Sequence, residues 1–301
     1  MNLKQLETFL WVARLGSFSR TAERLFTTQP AISSRVANLE NELRISLFDR
    51  DGGDVRLTPP GRDLLKYAEE ALAAVQAMRD HAGIQPEVSG LLRLGASESI
   101  VQTWLADLLF ELQETFPALD VEMSVDVTSN LRNDLVDHAI DIALLMGPVS
   151  EYTVTNVPLG AYELIWVKRP DPGMVGSRQM TLQEICSYPI LTFPRNTRPY
   201  FEISEMLKKR VSDTVRMFPS SSLSAIQRMA ERGVGIASIP RVFAVNALAE
   251  GRLVEVETDW RPTALNYTAS YIADPSRPIL ALVAEMAQQI ATTSAVPVTI
   301  S

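Results

Sequence analysis

The chain is poor in the side chains that staple, ligate or anchor a protein. It has one cysteine, Cys186, which excludes an internal disulfide and fits a reducing cytoplasm. Its two histidines, His81 and His138, stand far apart, too few ligands for a structural zinc site. No run of about 18 apolar residues occurs, so no membrane-spanning helix is expected. The start, Met1-Asn2-Leu3-Lys4-Gln5, lacks the basic cap, apolar run and small-residue cleavage site of a secretory signal. Basic residues are the minority, and the formal net charge is −8. That balance argues against nucleic acid until its distribution is considered. Residues 1–66 hold ten Lys and Arg against eight acids, leaving the remainder at −10. The acidity therefore sits in the larger part, and a small, mildly basic part precedes it.

What is present begins with helical periodicity. Leu3, Leu6, Phe9, Leu10 and Ala13 recur at helical spacing up to Gly16, predicting a first helix. Ser17 offers a cap for a short second helix, with Ala22 and Leu25 facing inward. Thr28 can cap a third helix, where Pro30 costs nothing because first-turn N–H groups lack intrahelical partners. Its apolar stripe is Ile32, Val36, Leu39 and Leu43. Two short strand-like pieces follow around a turn-rich tip at 49–54. Three helices and a hairpin make a winged helix-turn-helix. A long helix then runs from about 59 to 81. Its narrow seam of Leu65, Ala68, Leu72, Val75 and Met78 suits pairing with a copy of itself or packing on its own domain.

After a linker-like stretch at 83–90 the pattern changes to alternating strands and helices. Strands are expected at 91–95, 121–127, 140–146, 164–168, 189–193, 215–218, 235–238, 253–256 and 267–272. Helices are expected at 99–115, 129–139, 181–186, 199–210, 222–232, 241–249 and 277–291. Repeated βα units imply parallel sheets covered by helices, and some 210 residues suggest two α/β lobes. The 301 residues thus divide into an all-α, winged N-terminal domain at 1–58, a linker and dimerisation helix with a hinge at 59–90, and an α/β domain at 91–301. Within the last, lobe I spans about 91–162 and 268–301, and lobe II about 163–267. The chain is expected to cross between lobes near 160–164 and 266–270.

The segment from Ser17-Phe18-Ser19-Arg20 through Thr28-Gln29-Pro30-Ala31-Ile32-Ser33-Ser34-Arg35-Val36 resembles the DNA-reading motif of the LysR-type transcriptional regulators. The match continues through Leu39-Glu40, Leu43, Leu47-Phe48, Arg50, Leu57-Thr58 and Gly61-Arg62, and Glu231-Arg232-Gly233-Val234-Gly235 through Pro240 resembles that family's sensor domain. The resemblance implies a promoter-binding regulator that is not an enzyme, with a two-lobed sensor like the type 2 periplasmic binding proteins. It also implies a small-molecule effector between the lobes, a homodimer on an inverted repeat and often a tetramer.

A recognition helix enters the major groove at its N-terminus, which also carries the positive pole of the helix dipole. Thr28, Gln29, Ser33 and Ser34 present short polar groups there, and Gln can bond adenine bidentately. Arg35 and Arg50 supply charge toward phosphate. In the family, residues matching Gln29, Pro30 and Ser33 commonly face DNA, and many members carry Arg where this chain has Ser34. The candidate DNA-reading residues are thus Thr28, Gln29, Pro30, Ser33, Ser34, Arg35 and Arg50.

Ser97-Glu98-Ser99, Thr128-Ser129-Asn130, Asn196-Thr197-Arg198 and Ser220-Ser221-Ser222 each follow a strand and open a helix. Each reads as an N-cap; four such ends around one cleft also make an anion or carboxylate site. The candidate effector contacts are Ser97, Glu98, Ser99, Thr128, Ser129, Asn196, Thr197 and Arg198. Glu98 leaves room for a ligand bearing an amine or hydroxyl. Some family members that bind aromatic acids carry an arginine near the end of the third sensor strand, where this chain has Met146-Gly147.

Catalytic, metal and cofactor sites are not expected. Gly95-Ala96-Ser97-Glu98-Ser99 half-matches a nucleophile elbow but ends in Ser99, and neither histidine is placed as its base. Gly233-Val234-Gly235 follows a helix and precedes a strand, the reverse of a dinucleotide loop. Asp134, Asp137 and Asp141 read as a solvated face and a strand entry, and Cys186 as buried and inert. An α/β enzyme would need a catalytic constellation, and a solute-binding protein would need a signal peptide and no DNA module.

Overall fold

A computed structural model describes residues 1–25, 27–49, 55–81, 90–171, 177–211, 215–274 and 277–294. The chain divides into two compact units, Met1–Val88 with Asp274–Ile279, and Ser89–Ala273 with Leu280–Ser301.

In the first unit, α1 (Leu3–Leu15) starts in a capping box. Asn2 accepts from the Gln5 backbone N–H at 3.0 Å, and the Gln5 side chain accepts from the Asn2 N–H at 2.7 Å. It ends at Gly16 with φ of 60°, in the left-handed region where a Cβ is strained. α2 (Phe18–Arg24) is capped by Ser17 and α3 (Gln29–Leu43) by Thr28. β1 (Phe48–Asp49) and β2 (Arg56–Leu57) pair antiparallel as the wing's base, and α4 spans Pro59–His81. Phe9, Val12, Ile32, Val36, Leu39 and Leu47 form a buried core. Phe48 packs edge-on against Phe9 and Phe18, with centroids 5.6 and 6.0 Å apart. The Glu40 carboxylate on α3 accepts from the Leu47 and Phe48 N–H groups at 2.7 and 3.3 Å, fixing the wing's first strand to that helix.

The first half of the α4 seam is used inside this unit. Ala68 is buried in the core, with Leu65 and Leu72 packed against it, whereas Met78 is exposed. At the head of α4, Thr58 donates its hydroxyl to the Ser46 carbonyl at 2.6 Å and its N–H to the Leu47 carbonyl at 3.0 Å. Gly61 lies so close that a Cβ there would overlap the Leu47 carbonyl.

The second unit holds two sheets. The first has the order β4-β3-β5-β13-β6, from β3 (Gly90–Ala96), β4 (Leu119–Val125), β5 (Ile142–Met146), β6 (Val154–Tyr162) and β13 (Leu265–Ile272). The second has the order β10-β9-β11-β7-β12-β8. Its strands are β7 (Leu164–Lys168), β8 (Arg178–Gln179), β9 (Ile190–Thr192), β10 (Met217–Pro219), β11 (Ile236–Pro240) and β12 (Val254–Glu257). The helices are α5 (Glu98–Val101), α6 (Leu105–Thr115), α7 (Thr128–Val136), α8 (Leu182–Ile185), α9 (Arg198–Arg210), α10 (Leu223–Glu231), α11 (Arg241–Ala249) and α12 (Ile279–Ser294). Trp104 and Trp166, each at most 1% exposed, are the largest fully buried side chains.

Three expectations change. The sheets are mixed rather than parallel: β13 runs antiparallel to β5 and β6, and β7 antiparallel to β11 and β12. The expected helix at 99–115 is broken into α5 and α6 around Gln102-Thr103-Trp104. Strands β6 and β8 occupy segments read as connections, and β6 is an edge strand, which tolerates its Pro158.

The chain passes between sheets through Glu163 and again through 258–264; the second passage comes before the expected 266–270, which lies within β13. The Glu163 carboxylate accepts from Arg241 at 2.7 Å and Arg261 at 2.6 Å. Arg241 also grips Glu255 with both terminal nitrogens, at 2.9 and 2.7 Å. Burial alone would raise the Glu163 carboxyl, but Arg241 and Arg261 outweigh it and hold the group below the usual carboxylate range. At the other end of the second unit, α12 returns to the first sheet, where Gln288 donates to the Pro158 carbonyl at 2.9 Å.

Because the Gly61 contact is with backbone, Gly61→Ala cannot be absorbed by rotating a side chain. It should destabilise the first unit by about 1–3 kcal/mol. Hydrogen exchange should then accelerate over residues 3–81 and stay unchanged over 90–272. Unchanged protection in the first unit would show the contact to be unimportant.

Candidate functional site

Two surfaces carry the chemistry. In the first unit the buried side of α3 is apolar and its outer side polar. Ile32, Val36 and Leu39 are fully buried, while Thr28, Gln29, Pro30 and Ser34 are exposed and Ser33 half-buried. Thr28 has extended backbone and accepts from the Ala31 N–H at 3.4 Å; Pro30 has no N–H, so among the first three helical residues only Gln29 brings a further backbone donor to this end. Gln29 accepts from the Ser19 hydroxyl at 3.3 Å, which joins the starts of α2 and α3. Arg35 is half-buried on the flank of α3, in a groove with Asn2, Lys4, Gln5 and Asn38. The helix therefore brings Thr28, Gln29, Pro30, Ser33 and Ser34 to one end, with Arg35 beside them; Arg50 lies outside the described residues. Lys4 and Asn38 join this surface only through the packing of α1 on α3, which no local pattern announces.

In the second unit the carboxyl ends of parallel strands from both sheets open into helices, the usual place for ligands in such folds. β3 leads to Ser97, Glu98 and Ser99, and β4 to Thr128 and Ser129. β9 leads to Asn196, Thr197 and Arg198, and β10 to residues 220–224. The N-cap reading holds in full only for Ser222, whose hydroxyl accepts from the Ala225 N–H at 3.2 Å. Ser97 and Thr197 occupy the N-cap position without a side-chain cap bond, and at α7 that position is Val127, one residue before Thr128. Thr197 instead donates to the Pro194 carbonyl at 2.7 Å, and the Ser97 hydroxyl is buried.

Among the described residues, three side chains bridge one lobe to the other. Glu98 accepts from the start of α10, at the N–H groups of Leu223 and Ser224 and the hydroxyls of Ser222 and Ser224. Gln102 donates to the Ser224 hydroxyl at 3.2 Å, and Asn196 donates to the Ser129 hydroxyl at 3.1 Å. Below them, Ser99 is buried and accepts from the Tyr267 hydroxyl at 2.8 Å. Burial holds the Tyr267 phenol far above its ordinary value, so it stays a neutral donor. Tyr162 packs against Tyr267 with the rings tilted and their centroids 4.9 Å apart, and it accepts from Trp104 at 2.6 Å. Gly147 packs so tightly on Thr268 that a Cβ there would overlap its side chain. Arg198 donates to the Ala264 carbonyl at 3.2 Å.

Gln102, Ser224, Tyr162 and Tyr267 were missed from sequence. Tyr267 and Ser99 are 168 residues apart, and Gln102 and Ser224 are 122 apart, beyond any local signal.

A winged helix-turn-helix with a polar recognition end, carried with a two-lobed α/β unit around a polar cleft, defines a DNA-binding regulator with an effector domain. The comparisons with known proteins agree. Residues 3–62 match the bacterial regulatory helix-turn-helix protein model of the lysR family, and residues 85–292 match the LysR substrate binding domain. The chain belongs to the LysR family of transcriptional regulators and is not an enzyme. It is 26% identical over 253 residues to the HTH-type transcriptional regulator GltR of Bacillus subtilis (strain 168), covering 84% of each chain. It is 27% identical over 241 residues to YofA of the same organism, covering 80% of this chain and 82% of that one. In fold it is similar to a full-length OxyR variant from Pseudomonas aeruginosa, with a TM-score of 0.61, 23% identity, and coverage of 96% of this chain and 94% of the other. It is equally similar to full-length LysG from Corynebacterium glutamicum with bound effector Arg, with a TM-score of 0.61, 19% identity, and coverage of 99% and 100%. No helix among the described residues is long and apolar enough to cross a membrane.

Cys186 ends α8 and is half-buried rather than buried, and burial pushes its thiol above the ordinary value. The thiolate, which is the reactive form, is therefore scarce at neutral pH. Alkylation of Cys186 by iodoacetamide at pH 7.5 should be slower than that of an unstructured cysteine peptide; an equal or faster rate would contradict this environment.

Proposed function

We propose that the chain reads promoter DNA through the start of α3 and answers to a small polar metabolite held between the lobes of its second unit. The exposed polar end of α3 supports the first half. Gln29, Ser33 and Ser34 suit base edges or phosphates, Pro30 and Thr28 hold the helix start, and Arg35 and Arg50 supply charge to the backbone. The convergence of Ser97, Glu98, Ser99, Thr128, Ser129, Asn196 and Thr197 at facing strand ends supports the second half. LysG carries bound Arg, which makes a small amino-acid-sized effector a sensible class here. A carboxylate is the first chemistry to try, because helix starts favour anions.

We also infer a homodimer, with a tetramer built from two such dimers. The exposed Tyr67 and Met78 on α4, and Phe110, Met123 and Val125 on α6 and β4, are apolar surface that a second copy would cover. Paired recognition helices would then enter successive major grooves about 34 Å apart.

The observation that carries this reading is the polar, unobstructed start of α3. Its test is the salt dependence of binding to DNA upstream of the chain's own gene. Arg35→Ala should reduce the slope of log affinity against log salt by about 0.9 for each phosphate that the protein no longer neutralises. Gln29→Ala should weaken specific binding by about 1–3 kcal/mol while leaving that slope nearly unchanged. Wild-type slope and affinity in both variants would remove α3 from the interface.

A further inference from the structure

The first-turn donors of α10 are already satisfied, and a side chain from the other lobe satisfies two of them. α10 is nine residues long, and its N–H groups at Leu223 and Ser224 have no intrahelical acceptor. Glu98 supplies one: Oε2 accepts from Leu223 N, while Oε1 accepts from Ser224 N at 3.1 Å. Oε1 also accepts from the Ser224 hydroxyl at 2.8 Å and the Ser222 hydroxyl at 3.3 Å. The next N–H, of Ala225, is taken by Ser222 itself. A carboxylate has about four acceptor positions, two on each oxygen; three donors saturate Oε1, and Oε2 takes one. Oε1 therefore has no free acceptor for a ligand's amine or hydroxyl, and α10 has no donor left at Leu223, Ser224 or Ala225 for a ligand's anion.

We propose that Glu98 is an internal ligand: its carboxylate fills the anion site at the start of α10 and latches the two lobes together without effector, so that a free carboxylate reaches that helix start only by exchanging with Glu98. The geometry around it fits a latch. Glu98 is the first residue of the short helix α5, and Gln102, at the end of the same turn, reaches the same Ser224 at 3.2 Å. One rigid turn of lobe I thus places two side chains on one serine of lobe II. Asn196 and Ser129 make a separate bridge between other elements of the lobes. A tethered group has an effective concentration on the order of millimolar or more, so a free monocarboxylate at lower concentration cannot compete. An anionic effector would gain the α10 site only by displacing Glu98, and that exchange would unlatch the lobes. This assignment rests on the cleft reading above, but its test uses neither DNA nor the natural effector.

The probe is sodium acetate, with sodium chloride at matched ionic strength as control, and the readout is the backbone amide resonances of Leu223 and Ser224 in the full chain. In the wild type acetate should move neither resonance beyond the chloride control. In Glu98→Ala, both amides should shift from their wild-type positions, and acetate should shift them back saturably. No acetate response in Glu98→Ala, or the same response in the wild type, would overturn the proposal.

Glu98→Gln keeps the side chain's size, so it serves if the alanine variant folds poorly. With spin labels on exposed Glu114 and Lys208, both replaced by cysteine in a Cys186→Ser background, this variant should give a broader and longer distance distribution than the wild-type Glu98 protein. An unchanged distribution would show that Glu98 does not hold the lobes. Failure of either measurement leaves the DNA-reading assignment standing, and loss of DNA binding in the Arg35 and Gln29 variants leaves the latch standing.

Discussion

A helix start presents backbone N–H groups that its own turns cannot satisfy, and what meets those groups governs both halves of this chain. At α3 the first turn is exposed, with Thr28 serving the Ala31 N–H and polar side chains around the rest. At α10 the same kind of end is covered, two donors by Glu98 from the opposite lobe and one by Ser222. The first arrangement leaves partial positive charge facing solvent, where phosphate and base edges can approach. The second uses that charge within the molecule to join two lobes that the backbone links only through Glu163 and residues 258–264.

The crossings are reinforced where they matter for motion. Arg241 and Arg261 both reach Glu163 and Glu255, so one crossing and the strand before the other share a network of charges. A hinge so braced favours lobes that move as bodies over lobes that deform. A ligand can shift such an equilibrium only by its difference in affinity for the two arrangements. A latch that must be exchanged for a ligand group supplies such a difference, because the same donors cannot serve both.

The first unit was largely legible in the sequence, because its information is local. Ile32, Val36 and Leu39 mark α3 by spacing alone, Ser17 and Thr28 announce helix starts, and Gly16 ends α1 where the left-handed φ suits it. The α/β character of the second unit was also legible, but strand direction was not. A crossing near 160–164 was expected, but the pattern of a βα unit does not reveal that the strand after it, β7, runs antiparallel to β11 and β12. Strand β6 carries Pro158 and Gly160, both of which read as turn residues, and an edge position accommodates them. The break at residues 102–104 has no breaker residue, since Trp104 is held there by burial and its bond to Tyr162. Glu98 was read from the sequence as a candidate effector contact, but its partners are more than 120 positions away, so its engagement with α10 could come only from the fold.

The central claim is that the end of α3 meets base edges in the major groove. Replacing Ser34 with a photoactivatable cross-linking residue and irradiating the complex with DNA from upstream of the chain's own gene tests it most directly. Cross-links to bases in two major-groove segments about one helical turn apart are expected. A stable complex that gives no cross-links to bases, or cross-links spread evenly along the duplex, would contradict it.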